Sequence, residues 1–184
     1  DSGMSNVGVG TPAFVDMGAF EWSCNLVSGT FTIDPLSPSS ATNFQTFQKA
    51  VNHLLCGING PVVFNVANAT TFTEQVEIPQ IPGSSAANTV TFNGNGSTLQ
   101  YFQSNTLSFE QSTLKLQGAD YFRFNNLSIN GLGGSDNIGR SVYLSNGANN
   151  NIFDTCTIRA SREAVNIVMH PFSVASFAGF PSCD

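Results

Sequence analysis

Thr113-Leu-Lys-Leu-Gln-Gly-Ala-Asp-Tyr-Phe-Arg-Phe-Asn-Asn-Leu-Ser-Ile-Asn130 and Ser141-Val-Tyr-Leu-Ser-Asn-Gly-Ala-Asn-Asn-Asn-Ile-Phe-Asp-Thr-Cys-Thr-Ile-Arg159 are two versions of one pattern. Each reads as a short strand, a Gly-Ala turn, a second strand, a polar corner and a third strand. Leu114 and Leu116 align with Val142 and Leu144, Gly118-Ala119 with Gly147-Ala148, and Leu127 and Ile129 with Cys156 and Ile158. Phe122 and Phe124 align with Ile152 and its surroundings once a one-residue insertion is allowed between the copies. A further copy starts at Ala164-Val-Asn-Ile167 and then fades. Repeats of just under about thirty residues signal a solenoid, because one such unit cannot bury its own apolar face and must stack on the next. Alternation of apolar and polar residues within each segment is the period of a strand. Asn at the corners, as in Asn125-Asn126 and Asn149–Asn151, tolerates left-handed turns. The expectation is an all-β chain, a right-handed single-stranded parallel β-helix of the pectate-lyase-like solenoid kind. A β-sandwich also has many short strands, but it does not require the same strand–turn pattern twice in register.

Upstream, short strands are expected at Val27–Ile33, Val62–Val66, Phe72–Ile78, Thr89–Phe92, Thr98–Phe102 and Thr106–Phe109, with Gly, Asn or Pro in most of the gaps. One helix interrupts them. Phe44, Phe47, Ala50, Val51, Leu54 and Leu55 fall on one face, Thr42 or Asn43 can cap the start, and Gly57 suits the exit. Such an amphipathic helix is suited to cap the open N-terminal end of the solenoid, which otherwise exposes core residues and unpaired strand edges. His53 is expected on its solvent side. Residues 1–26 read differently, Gly-rich with a Val15–Met17 strand pattern, and are taken as the tail of a preceding domain or a linker. Residues 27–184 are then the N-terminal cap and first coils of the β-helix.

Charged residues make up only 10% of the 184, and the net charge is −6 with six Lys plus Arg. Without clustered cations, nucleic acid is not an expected partner. No apolar run reaches the length of a membrane span, so membrane insertion is not expected either. The four cysteines, Cys24, Cys56, Cys156 and Cys183, contain no C-x-x-C pair, so no zinc knuckle or redox motif is indicated, and their even count in a low-charge, Asn-rich chain leads to the expectation of two disulfides in an oxidising compartment. Cys24 with Cys56 and Cys156 with Cys183 is the most local of the three pairings; buried thiols are the alternative.

Gly29-Thr-Phe-Thr-Ile33, the Phe44–Leu55 segment, Gly60-Pro-Val-Val-Phe-Asn-Val66, Thr73-Glu-Gln-Val-Glu-Ile-Pro79, Asn88-Thr-Val-Thr-Phe92 and Leu116-Gln-Gly-Ala-Asp-Tyr-Phe-Arg-Phe124 together resemble the start of β-helix domains in large secreted or cell-surface proteins of Bacteroidetes bacteria. The segment Val15-Asp-Met-Gly-Ala-Phe-Glu21 is similar to the tail that closes such a domain. The resemblance implies export, an extracellular or cell-surface location and membership of a larger protein. It implies no fixed activity, since adhesins and polysaccharide-active proteins share the fold.

Chemistry is sparse. The candidates are Asp120, Asp136, Asp154 and Glu163, with Arg123, Arg140, Arg159 and Arg162. On stacked coils Asp120, Arg123, Asp154 and Arg159 can form a polar ladder, with ordinary surface ion pairing between coils as the structural reading. A lyase or hydrolase needs carboxylates converging in one groove. His53 and His170 have no partner at ligand spacing, and no nucleophile elbow or phosphate loop is present, so no metal, cofactor or catalytic residue is expected. Tyr121 and Tyr143, with Asp136, Asp154 and Arg159, are the candidate binding residues, the tyrosines as platforms for sugar rings or, alternatively, as cross-coil packing. The reading is a non-catalytic structural or adhesion module that contacts glycans or other surface or secretion-system proteins. The alternative is part of a polysaccharide lyase or hydrolase.

Overall fold

The computed structural model describes residues 25–103, 112–133, 140–160 and 172–174. They form a parallel β-solenoid of about four turns with a single helix. In chain order the elements are β1 (Val27–Ile33), β2 (Asn43–Phe44), α1 (Phe47–His53), β3 (Ile58–Val66), β4 (Thr71–Thr73), β5 (Val76–Pro79), β6 (Val90–Gln103), β7 (Leu114–Gln117), β8 (Phe122–Gly133), β9 (Val142–Ser145), β10 (Ile152–Asp154), β11 (Thr157–Ala160) and β12 (Phe172–Val174).

Every pairing is parallel, and the strands make three faces. The first stacks β2, β1, β3, the front of β6, the front of β8, and β10. The second stacks β4, the rear of β6, the rear of β8, and β11. The third stacks β5, β7, β9 and β12. Apolar side chains at equivalent positions line up along the axis. On the first face the column is Phe31, Phe64, Phe92, Phe124 and Phe153. The Phe64–Phe92 ring centroids are 4.9 Å apart, Phe92–Phe124 5.4 Å and Phe124–Phe153 4.9 Å, all stacked. The second face contributes Phe72, Leu99, Ile129 and Ile158, and the third Val76, Leu114 and Val142 beside Ile78, Leu116 and Leu144.

The expected alignment of the two repeats holds at Leu114 with Val142 and Leu116 with Leu144, and at Ile129 with Ile158. It shifts in between. Phe124 stacks on Phe153, while Arg123 lies opposite Ile152, which points outward and is 44% exposed. The extra residue is absorbed in the corner between Ser145 and Ile152, where Asn146 and Asn150 take left-handed backbone.

The helix differs from expectation in its start. Thr46 is the N-cap, its Oγ1 accepting from Lys49 N at 3.1 Å. Phe44 belongs to β2, and Asn43 is buried in a strand rather than capping. Phe47 N and Gln48 N donate to the two carboxylate oxygens of Glu74, at 2.9 and 3.0 Å. Glu74 therefore satisfies first-turn donors that have no intrahelical partner. This contact also explains why the expected Phe72–Ile78 strand breaks into β4 and β5: Glu74-Gln75 is a corner. Phe47 enters the core against Phe72 and Phe92, with centroids 5.0 and 5.7 Å away, so the helix covers core residues of the solenoid. His53 is not on the solvent side. It packs on Phe31 and Phe44 at 5.2 and 5.0 Å, and burial pushes its imidazole pKa down.

Among the described residues no helix is long and apolar enough to cross a membrane. Cys24 and Cys183 lie outside the described residues, and with them the expected Cys24–Cys56 pairing. Cys156 is a free thiol, so the local pairing with Cys183 is not formed. It instead extends the corner column above Leu127, with Sγ donating to Phe124 O at 3.2 Å. Burial pushes its thiol pKa up.

Candidate functional site

Since the inward residues are committed to the core, function falls to the outward residues of the same strands. On the first two faces these form four columns. Thr30, Val63, Thr91, Arg123 and Ile152 make one, and Thr32, Asn65, Asn93, Asn125 and Asp154 the next. Beyond the corner lie Thr71, Thr98, Ser128 and Thr157, then Thr73, Gln100, Asn130 and Arg159. Neighbours within a column are about 4.8 Å apart. The second column is a hydrogen-bonded ladder. Asn125 Nδ2 donates to Asn93 Oδ1 at 3.0 Å, and Asn93 Nδ2 donates to Asn65 Oδ1 at 2.9 Å. In the fourth, Gln100 Nε2 donates to Thr73 Oγ1 at 3.3 Å. Hydroxyls and amides therefore dominate a surface that follows the solenoid axis, with Arg123, Asp154 and Arg159 as its charges.

The candidate residues do not gather. Asp154 and Arg159 lie on β10 and β11, outward and exposed, on either side of a corner. Asp154 sits opposite Asn125 and Arg159 opposite Asn130. Asp120 accepts from Asn149 N at 2.6 Å, fastening one corner to the next. The polar ladder on this face is made of amides, Asn65, Asn93 and Asn125, with Asp154 opposite Asn125, while Asp120 holds a backbone amide. An inter-coil ion pair does occur on the third face, where Lys115 Nζ lies 3.6 Å from Glu77 Oε1. Asp136 and Glu163 lie outside the described residues, as do Arg162 and His170.

The two tyrosines occupy different places. Tyr143 points out from the third face beside Lys115, but only 7% of it is exposed. The Arg140 guanidinium lies 5.7 Å from its ring centroid, a cation–π contact. Little of the Tyr143 ring is therefore open at the surface. Tyr121 is half-buried at the corner leading into β8, with φ of 62°. A bulky residue rarely adopts this left-handed backbone, which Asn150 supplies in the next coil.

Sequence reasoning missed the amide ladder. Its signal is a recurring tripeptide: Val63-Phe64-Asn65, Thr91-Phe92-Asn93, Arg123-Phe124-Asn125 and Ile152-Phe153-Asp154. Among the described residues no three His, Cys, Asp or Glu side chains come together as a metal site would require. Compared with known proteins, the chain matches no family model, no curated protein and no solved structure.

Proposed function

We propose that this chain is a non-catalytic surface module of a larger exported protein, in which a stiff solenoid holds a neutral hydroxyl- and amide-rich face against glycans or other surface proteins. The observation that carries the proposal is the regularity of the four outward columns. They repeat donors and acceptors about every 4.8 Å with few charges between them. Such a face suits many weak contacts to a hydroxyl-rich polymer, whose strength comes from number rather than from one deep pocket. Export and surface location rest on the resemblance of the sequence blocks to secreted β-helix domains and on a composition poor in charge.

The test is retention of the chain on immobilised neutral polysaccharides, compared with Thr91→Glu and Thr98→Arg variants. These place charges in the outer columns next to Arg123 and Ser128 without touching the core. Retention lost in the variants, with circular dichroism unchanged, supports the face as the contact. Equal retention of variants and parent overturns it. Release of new reducing ends or unsaturated sugars from the polymer overturns the non-catalytic reading.

A further inference from the structure

The second column runs into a cleft of about 500 Å³ at the N-terminal end of the first face. That volume lies within the range of about 300–1,000 Å³ typical of small-molecule sites. The cleft is built on a fixed frame. Residues 34–42 wind around Asn43, whose Nδ2 is shared among Asp34 O, Ser37 O and Pro38 O at 3.2, 3.2 and 3.1 Å. Asn43 Oδ1 accepts from Thr32 Oγ1 at 2.6 Å, and the residue is only 8% exposed. The loop shape is thus held by a buried amide and does not depend on an occupant.

Two polar groups on the lining remain in part unspent. Asp34 Oδ1 accepts from Leu36 N at 2.9 Å and Oδ2 from Ser37 Oγ at 2.6 Å. The Ser37 hydroxyl, and after it the Leu36 amide, holds the Asp34 carboxyl below its ordinary range, so it is ionised at neutral pH. A carboxylate has about four acceptor positions, so about two stay open. Asn65 accepts through Oδ1 from the ladder, while its Nδ2 donates to no other described residue. Pro38 and Ala67 add apolar surface between them, while the Val66 side chain is spent in the core, and no Lys, Arg or His lines the cleft.

A hydroxyl group both donates and accepts, so a pair of adjacent hydroxyls matches a carboxylate beside an amide N–H. We propose that this cleft binds a neutral saccharide, Asp34 accepting from one ring hydroxyl and Asn65 donating to its neighbour, with the C–H face of the ring on Pro38 and Ala67. The lack of a cation and the presence of a carboxylate select against uronates and sugar phosphates. A single carboxylate is poor provision for a hard divalent cation, which takes six or more oxygens, several of them charged. Occupancy of the cleft is separate from retention on the polymer-facing columns, and either can fail without the other.

The experiment is a titration of the ¹⁵N-labelled full chain, followed by NMR. D-glucose, D-galactose, D-mannose, N-acetyl-D-glucosamine and D-galacturonate are added separately. At least one neutral sugar is expected to produce saturable shifts in residues 34–43 and 65–67 and in the Asn65 side-chain amide, with weaker binding of D-galacturonate. Asp34→Asn is expected to weaken binding about tenfold or more, the loss of a charge-assisted hydrogen bond. Ala67→Leu fills the cleft without removing a polar group and is expected to abolish the shifts. The proposal is overturned if no neutral sugar gives saturable shifts, if D-galacturonate binds equally well, or if the shifts survive both variants. The same shifts from calcium chloride alone also overturn it.

Discussion

Phe92→Ala tests the stacked columns most directly. Phe92 is fully buried at the middle of the solenoid, and four other rings surround it. Phe64 lies 4.9 Å away, Phe124 5.4 Å, Phe47 5.7 Å and Phe122 6.4 Å, centroid to centroid. Truncation to Ala in such a site costs about 3–5 kcal/mol, transfer and cavity contributions together. The upper half of that range is expected, because the void is walled on one side by the helix and on two others by coils whose spacing is fixed by backbone hydrogen bonds. For a domain of this size each kcal/mol lowers Tm by about 2–4 °C, so the drop is roughly 8–20 °C. The assay is thermal and urea unfolding followed by far-UV circular dichroism, with Thr91→Ala as control. Thr91 is the outward neighbour on the same strand and shares no core contact. Its truncation is expected to cost less than about 1 kcal/mol. Since solenoid coils are coupled mainly through nearest neighbours, the Phe92→Ala transition is also expected to broaden as the coils on either side lose cooperativity. If the two variants unfold at the same temperature, β6 does not bury Phe92 in a column, and the register of every neighbouring coil is then wrong.

Asn93→Ala breaks two rungs of the amide ladder and is expected to cost about 1–3 kcal/mol in urea unfolding. Asn93→Asp keeps the acceptor but loses the donation to Asn65, so it should recover part of that loss at pH 3, where the carboxyl can donate again; Asp and Ala behaving alike at both pH values would count against the ladder. Gly83→Ala places a Cβ 2.1 Å from Ile58 O at a φ of +86°, and a Tm loss equivalent to about 2–4 kcal/mol is expected. Gly96→Ala, with a φ of +74° and nothing within 4 Å of the added atom, is the comparison and should cost about 1 kcal/mol. Glu74 supplies the pH prediction. Burial raises its pKa above 4.5, outweighing the hydrogen bonds from Gln48 and Phe47. The folded state therefore holds the proton more tightly than the unfolded state. Its contribution to stability is full below pH 4.5 and declines as pH rises through the folded value. In Glu74→Gln that decline is expected to vanish from the stability–pH curve, and an unchanged curve would remove Glu74 from the account.

Much of the fold was readable in the sequence because the inward positions are constrained twice, by the period of the strand and by the residue one coil away. Leu114, Leu116, Val142 and Leu144 satisfy both and paired as expected. The phenylalanine column was harder to see. Phe31, Phe64, Phe92, Phe124 and Phe153 are separated by 33, 28, 32 and 29 residues, since the corners absorb insertions while the strands stay in register. The same elasticity put Ile152 in place of Phe153 in the sequence alignment. The helix start was misplaced because Asn43 and Thr46 are both good caps in isolation. What separates them is tertiary: the amide of Asn43 closes the 34–42 loop, which Thr cannot do with a single hydroxyl. The outward chemistry was least legible. A lone polar residue on a strand carries no sign of what stacks above it, so the Asn65–Asn93–Asn125 ladder and the cleft at its end emerge only from the coil register.

That register also accounts for the scarcity of charge. In a parallel solenoid each outward side chain sits about 4.8 Å from its counterparts above and below. Two like charges at about 4 Å repel by roughly 1 kcal/mol in water and by roughly 4 at the effective dielectric of a protein surface. A column of lysines or glutamates would lose that at every rung. Amides and hydroxyls instead gain a hydrogen bond at each rung, as Asn125, Asn93 and Asn65 do. Where charges do stack, they alternate: Glu77 meets Lys115. Arg123 is flanked by Thr91 and Ile152, and Arg159 stands beside Asn130. The low charge of the chain is therefore a requirement of its architecture before it is a property of its partner. A surface neutralised for the sake of stacking carries few cations for an anionic polymer, and the proposed contact with neutral, hydroxyl-rich ones rests on that same constraint.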